Sequence, residues 1–420
     1  MNISKKGGRV KNENNNMTMM EEDKFNWWVV GFTDGDGWLY ISPNKTNRNV
    51  AFKMGWTIHR EDKVCLENIN KVLGTNISIN NHSSQPTISM AIMKHQIIDS
   101  VVIPLLDKYP LMTTKYYSYI KWKEQYLLYR NNNRDFKLYM KSKDTINNYE
   151  SVPGYVIPYE NMNTSWLIGF IEAEGSLNFY MKPNKTNSTI MMRATLSITQ
   201  DKRSYKTLET IMKLMNSWAY QENTPKPIKL FLDMIKMNIE DSLGGIYVKT
   251  KTTVYDIHIT STDILYHIVL PQLKSQPWLT RKMLAFQIWE IVLTIMIRGL
   301  HHTPEGVKLL VLLKKNINKY NNTHFIMPMD MISSVMDMKP IYNQNVPYII
   351  NAMAYKYKRA GVFVFDKDMN LVMVFSGITI ASRYFKLDKY HICKALKDPS
   401  HMINKMYYLR DSSNFSNNNK

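Results

Sequence analysis

Trp-Val-Val-Gly-Phe-Thr-Asp-Gly-Asp-Gly at 28–37 returns as Trp-Leu-Ile-Gly-Phe-Ile-Glu-Ala-Glu-Gly at 166–175. Each copy runs from apolar residues into Gly-Phe and closes on acid, small residue, acid, Gly. The offset is 138 throughout, from Gly31 to Gly169 and from Asp36 to Glu174. An internal repeat sets the fold before local propensity does. Two copies in one chain imitate a symmetric dimer, with one acid from each near a shared axis.

Within each motif the small residues stand four apart, Gly31 and Gly35 in one, Gly169 and Ala173 in the other. Residues four apart share a helix face. Two such faces let backbones touch, which brings Asp36 and Glu174 side by side at adjacent helix ends. Neighbouring carboxylates repel unless a divalent cation lies between them. Mg²⁺ prefers hard oxygen ligands and keeps several waters. The matching chemistry is phosphodiester hydrolysis by a metal-activated water.

The elements around each motif also repeat. A helix from Asp23 to Asp36, with Asp23 as N-cap, leads into strands Trp38–Ser42 and Val50–Ile58. Phe52, Met54, Trp56 and Ile58 alternate with more open positions, so one face of the sheet is buried. A helix over Glu61–Leu73 ends at Gly74. Strands 75–79 and 86–92 and helices 95–103 and 113–130 complete the order αββαββα. The second copy repeats it: helix 165–174, strands 176–182 and 190–199, helix 201–218, a longer strand region over 227–259, helices 262–269 and 280–298. A further helix is expected near 305–320. The reading is α+β, with a leader at 1–23, a first domain at 24–130, a linker at 131–163, a second domain at 164–325, a connector at 326–350 and a small unit at 351–411.

Lys and Arg number 54 against 35 Asp and Glu, a net charge of +19. That excess favours a polyanionic partner, nucleic acid ahead of an acidic membrane surface. No apolar run reaches the about 18 residues that a membrane span needs; the longest, 288–297, is broken by Glu290. The first sixteen residues carry no apolar core of a secretory signal. Cys65 and Cys393 stand alone, which excludes a disulfide framework and a cysteine zinc site. Abundant Asn, Lys, Ile, Tyr and Met is what an AT-rich genome encodes, with a mitochondrial genome the obvious case.

On these residues the chain resembles a two-motif LAGLIDADG homing endonuclease or intron maturase, over roughly residues 24–325. The resemblance implies a pseudo-two-fold saddle that binds a long asymmetric double-stranded DNA site as a monomer and cuts both strands with Mg²⁺, for which Mn²⁺ can stand in. Asp36 and Glu174 match the family's metal-binding acids; Asp34 and Glu172 match its more structural acid. An offset of 140 pairs Arg60 with Gln200, where the family often has Gln, and Lys53 with Arg193. Lys115 and Lys282, each seven residues before a tryptophan, match a basic residue placed near the scissile phosphate. For Arg60, Gln200, Lys115 and Lys282 a solvated surface or a helix end is an equally good reading. Tyr40, Lys53, Asn178, Tyr180, Arg193 and Thr195 are the outward strand residues expected to face DNA. Trp27, Trp28 and Trp166 read as core, and His301-His302 as solvated loop.

Residues 361–397 resemble NUMOD1, a small nuclease-associated module: a hairpin, then two short helices capped by Ser376 and Asp388. Lys386, Lys389, Tyr390, His391 and Lys394 would be its DNA-facing set; a packing module with a basic solvated face is the alternative. For the whole chain the ranking is endonuclease first. The second reading is an RNA maturase that assists splicing of a host group I intron, and the two activities can coexist.

Overall fold

The computed structural model describes residues 19–142, 151–183, 190–219, 245–248, 253–317, 325–344, 347–357, 361–369, 371–375, 377–398 and 400–411. Helix α1 (Met19–Asp36) begins four residues before the expected cap. Asp23 instead accepts a hydrogen bond from the Tyr109 hydroxyl at 2.6 Å. Strands β1 (Gly37–Asn44) and β2 (Asn49–His59) follow, then α2 (Lys63–Val72), β3 (Ile79–Asn81) and β4 (Thr87–Ile92). Phe52, Met54, Trp56 and Ile58 are buried, as the alternation requires. Gly74, at φ +60, takes the left-handed turn that closes α2. The run His95–Ile97, Ile98–Val102, Ile103–Lys108 forms α3, with a π turn at its centre, and α4 spans Lys115–Asn131. The sheet is antiparallel in the order β1-β2-β4-β3.

The expected linker contains a short helix, α5 (Phe136–Ser142). The second unit then repeats the first: α6 (Thr164–Glu174), β5 (Gly175–Pro183), β6 (Ile190–Asp201), α7 (Tyr205–Trp218), β7 (Gly245–Val248) and β8 (Val254–Ile259). Its sheet order is β5-β6-β8-β7. The expected strand region at 227–244 lies outside the described residues. The run Thr262–Ile264, Leu265–Val269, Leu270–Lys274 forms α8, again with a central π turn, before α9 (Lys282–Ile297). Both π turns contain buried apolar residues. The two units share one continuous core.

Helix α10 (Pro304–Asn316) follows α9 as the shorter α5 follows α4. Its Lys314 ammonium reaches the open edge of β5, bonding the Asn178 amide oxygen at 3.0 Å and the Phe179 carbonyl. The supposed connector is structured. It holds α11 (Met329–Met336), and α12 (Tyr348–Tyr357) crosses the expected boundary at 350. Arg298 bonds the Met336 and Met338 carbonyls. Buried Asp263 accepts Tyr348 N at 2.6 Å and Ile349 N at 3.1 Å, pinning the N-terminus of α12 to the second unit. His301 and His302 are not solvated: His301 is buried, and His302 stacks on Tyr355 at 3.8 Å and bonds the Tyr342 hydroxyl at 2.7 Å.

The C-terminal unit has the expected hairpin, β9 (Val362–Phe365) and β10 (Leu371–Phe375), and two helices, α13 (Ile378–Phe385) and α14 (Lys389–Lys397). Asp388 caps α14 through His391 N at 2.9 Å; Ser376 lies outside the described residues. Two strands were not foreseen, β11 (Met402–Ile403) and β12 (Tyr407–Asp411). Strand β12 pairs with β9, giving the order β10-β9-β12-β11 and a separate small core around Val364, Phe375, Phe385 and Leu409.

Candidate active site

The motif helices α1 and α6 meet at the expected four small residues. A Cβ on Gly31 would fall 1.9 Å from the Trp166 carbonyl oxygen, and one on Gly169 would fall 2.1 Å from that of Trp28. A Cβ on Gly35 would fall 2.2 Å from the Ala173 methyl. No side chain larger than hydrogen fits the crossing at these glycines.

The first acid of each motif locks that crossing, by an exchange the sequence reading missed. Asp34 accepts Trp166 Nε1 from the other copy at 2.9 Å, besides Met112 N, Thr113 N and the Thr113 hydroxyl. Glu172 accepts Trp28 Nε1 at 2.8 Å, besides Leu279 N, Thr280 N and the Thr280 hydroxyl. Burial raises both carboxyl pKa values, and these donors oppose the rise. The tryptophans are core, as expected, but they are also hydrogen-bond partners. The available signal was that Trp28 and Trp166 share the 138 offset of the acids.

The last acids, Asp36 and Glu174, end α1 and α6 and open onto solvent, with protein crowding them from behind. Burial and then the Glu174 charge push the Asp36 pKa up to about 6; Lys282 and Lys115 oppose this, and Asp62 adds to it. Burial likewise raises Glu174 against the pull of Lys115 and Lys282. A carboxylate at the negative end of a helix is unfavourable unless cations compensate.

Lys115 and Lys282 supply that compensation. The Lys115 ammonium bonds the carbonyls of Thr33 (2.9 Å), Gly35 (2.9 Å) and Gly37 (2.5 Å). Lys282 bonds those of Ile171 (3.0 Å), Ala173 (3.3 Å) and Gly175 (2.7 Å). An ammonium has three N–H donors, and here all three are used. The lysines are therefore helix-end charges beside the acids, and a direct contact with a scissile phosphate would need a donor that a carbonyl already holds. Burial lowers the pKa of both.

The offset of 140 for the outer positions is out of register by two. Gly37 pairs with Trp56 and Gly175 with Ile198, so β2 maps onto β6 at 142. The following turns agree: His59 caps the first by accepting Glu61 N, and Asp201 caps the second by accepting Arg203 N. Arg60 thus corresponds to Lys202, and Gln200 to buried Ile58. Arg60 is exposed just beyond β2, and Gln200 lies half-buried near the end of β6. A slip of two keeps every side chain on its face, so alternation could not detect it.

Tyr40 pairs with Lys53, Asn178 with Thr195 and Tyr180 with Arg193, all opposite the faces carrying Phe52, Leu177, Phe179 and Leu196. Tyr40, Tyr180 and Arg193 are exposed and Lys53, Asn178 and Thr195 half-buried. The Asn178 amide oxygen is already shared by Phe179 N and Lys314. In the C-terminal unit Lys386, Lys389, Tyr390, His391 and Lys394 are all exposed.

A cleft of about 280 Å³ adjoins Asp36, lined among others by Thr57, His59, Asp62, Thr87, Arg281 and Lys282. Among the described residues no three His, Cys, Asp or Glu side chains form a closed metal cage. Asp36 and Glu174 offer hard oxygen donors to a cation that fills its other positions with water and phosphate oxygens, which fits Mg²⁺.

The profile of the LAGLIDADG endonuclease family matches residues 29–126. The mitochondrial protein RF1 of Saccharomyces cerevisiae is 36% identical over 95% of this chain and 84% of its own length. The probable intron-encoded endonuclease Cox1-I1b of Schizosaccharomyces pombe is 32% identical over 37% of this chain and 41% of its own. Among solved structures, the LAGLIDADG homing endonuclease I-LtrWI bound to target DNA superposes with a TM-score of 0.59 at 20% identity, covering 71% of this chain and 99% of that one. I-SmaMI, bound to an uncleaved DNA target with calcium ions, does so with a TM-score of 0.57 at 19% identity, covering 70% and 99%. The paired motif helices, the twin antiparallel sheets and these relatives together place the chain in the LAGLIDADG endonuclease family.

Proposed function

We propose that the chain is a site-specific homing endonuclease that makes Mg²⁺-dependent double-strand breaks at a long asymmetric DNA site, acting as a monomer in the mitochondrion. The observation that carries this reading is the pair Asp36 and Glu174, one from each copy, at the foot of a crossing that admits only glycine or alanine. Asp36 and Glu174 would hold the cation, whose positive charge acidifies water and offsets charge on the phosphate. Lys115 and Lys282 fix the helix ends and favour ionised carboxylates despite their crowding. The open faces bearing Tyr40, Lys53, Tyr180 and Arg193 would track the duplex on either side, and the C-terminal module would extend the contact through Lys386, Lys389, Tyr390 and Lys394. The charge of +19 suits such a polyphosphate. Intron encoding and mitochondrial residence are supported by the nature of the relatives.

The test is cleavage of a randomised DNA library with Mg²⁺, Mn²⁺ or EDTA, by wild type and by Asp36→Asn/Glu174→Gln. Specific cutting that needs the cation and is lost in the variant, with DNA affinity retained, is the expected result. A folded protein that cuts nothing would overturn it and direct the next assay to group I intron RNA.

A further inference from the structure

The two motifs are near-twins, but the residues flanking their acids are not. The residue before each active-site lysine is Thr114 in the first copy and Arg281 in the second. Arg281 crosses to the first unit. Its backbone N–H donates to Asp62 at 2.6 Å, its Nε lies 3.2 Å from the same carboxylate, and its Nη1 lies 2.8 Å from His59 Nδ1. Glu61 N also donates to His59 Nδ1, at 3.3 Å. A guanidinium and a peptide N–H have only protons to give, so Nδ1 is an acceptor and the ring's proton sits on Nε2. Burial and the Arg281 charge hold the ring's pKa below its usual value, in agreement. Nε2–H is then the one polar group of the His59 ring with no protein partner among the described residues, and the ring lines the cleft that contains Asp36. At the matching place in the other unit stands Asp201, a carboxylate bonded to Arg203, and Asp62 is matched by Ser204. Neither a neutral ring N–H donor nor a crossing arginine stands there among the described residues.

We infer that His59, its Nδ1 held as an acceptor by the Arg281 guanidinium and the Glu61 backbone N–H, contacts one strand only, donating Nε2–H to a backbone phosphate oxygen of the DNA that crosses the Asp36 cleft. The two strands are therefore cut by inequivalent sites, despite the symmetry of the acids. The inference rests on the endonuclease reading above.

The experiment uses the full chain and a duplex carrying the recovered site, labelled in turn on each strand, in single-turnover cleavage. His59→Ala should slow one strand about tenfold, the weight of one hydrogen bond to an anionic acceptor, so that nicked duplex accumulates. The other strand should stay within about twofold. His59→Gln should restore the slowed strand, because its amide nitrogen falls near the position of imidazole Nε2. Equal slowing of both strands, failure of His59→Gln to rescue, or unchanged rates in both variants would each overturn the inference. Absence of cutting by wild type would instead overturn the endonuclease reading itself.

Discussion

Gly31→Ala sets helix propensity against the crossing. In an isolated helix the change is favourable by about 1 kcal/mol. Here the new methyl would lie 1.9 Å from the Trp166 carbonyl oxygen, where side-chain carbons essentially never approach within 3.0 Å. The two helices must part by about 1 Å. That movement carries the Trp28–Glu172 and Trp166–Asp34 bonds, now 2.8 and 2.9 Å, beyond hydrogen-bond range. Overpacking costs about 1–3 kcal/mol, and each bond to a buried carboxylate contributes about 1.5–3 kcal/mol. A net loss of about 3–8 kcal/mol is expected, a large part of the total stability of an ordinary domain. Urea unfolding followed by tryptophan fluorescence reads it directly. A midpoint equal to or above wild type would show that the backbones do not touch at Gly31 and would remove the argument for how the acids are brought together.

Asp263 gives a pH signature for the docking of α12. Burial raises its pKa from 3.8 to about 6 against the pull of the Tyr348 and Ile349 amides. Between those pH values the folded chain keeps a proton that the unfolded chain has lost, so stability is full below pH about 4 and falls as pH rises through 6. The loss amounts to about 3 kcal/mol. Asp263→Asn should flatten that part of the pH–stability curve, measured by urea midpoints from pH 4 to 8; superimposable slopes would refute it. In the C-terminal unit, replacing Lys386, Lys389 and Lys394 by alanine should lower the salt dependence of DNA binding by roughly 0.9 in log–log slope for each phosphate no longer neutralised. An unchanged slope would make the unit a packing module.

What was legible in the sequence, and what was not, divides by the physics of each signal. The crossing helices were readable because two small residues and two acids of the first motif recur in the second at one constant offset. The open sheet faces were readable from the alternation over 52–58. That same alternation concealed which residue of β2 corresponds to which of β6, because a shift of two leaves every face unchanged. Lys115 and Lys282 were found by spacing, but their use as helix-end donors depends on three carbonyls that no side-chain pattern reports. Strand β12 escaped because Tyr407–Asp411 is short and ends in Arg410-Asp411, so it resembles a solvated tail until β9 is beside it. His301 and His302 were misplaced because Tyr342, Tyr348 and Tyr355, which surround them, lie 40 or more residues along the chain.

The exchange of indoles between the copies bears on how such chains can be recombined. Each half carries a buried acid whose fourth donor belongs to the other half. A half expressed alone would keep its acid and three of its donors but would expose the glycine seam and leave the carboxylate short. A chimaera joining this first half to the second half of a relative therefore needs little of the foreign sheet to match. It needs a tryptophan where Trp166 stands, an acid where Glu172 stands, glycine where Gly169 stands, and a residue no larger than alanine where Ala173 meets Gly35. With those four positions kept, the DNA-reading surface of either half becomes an interchangeable part.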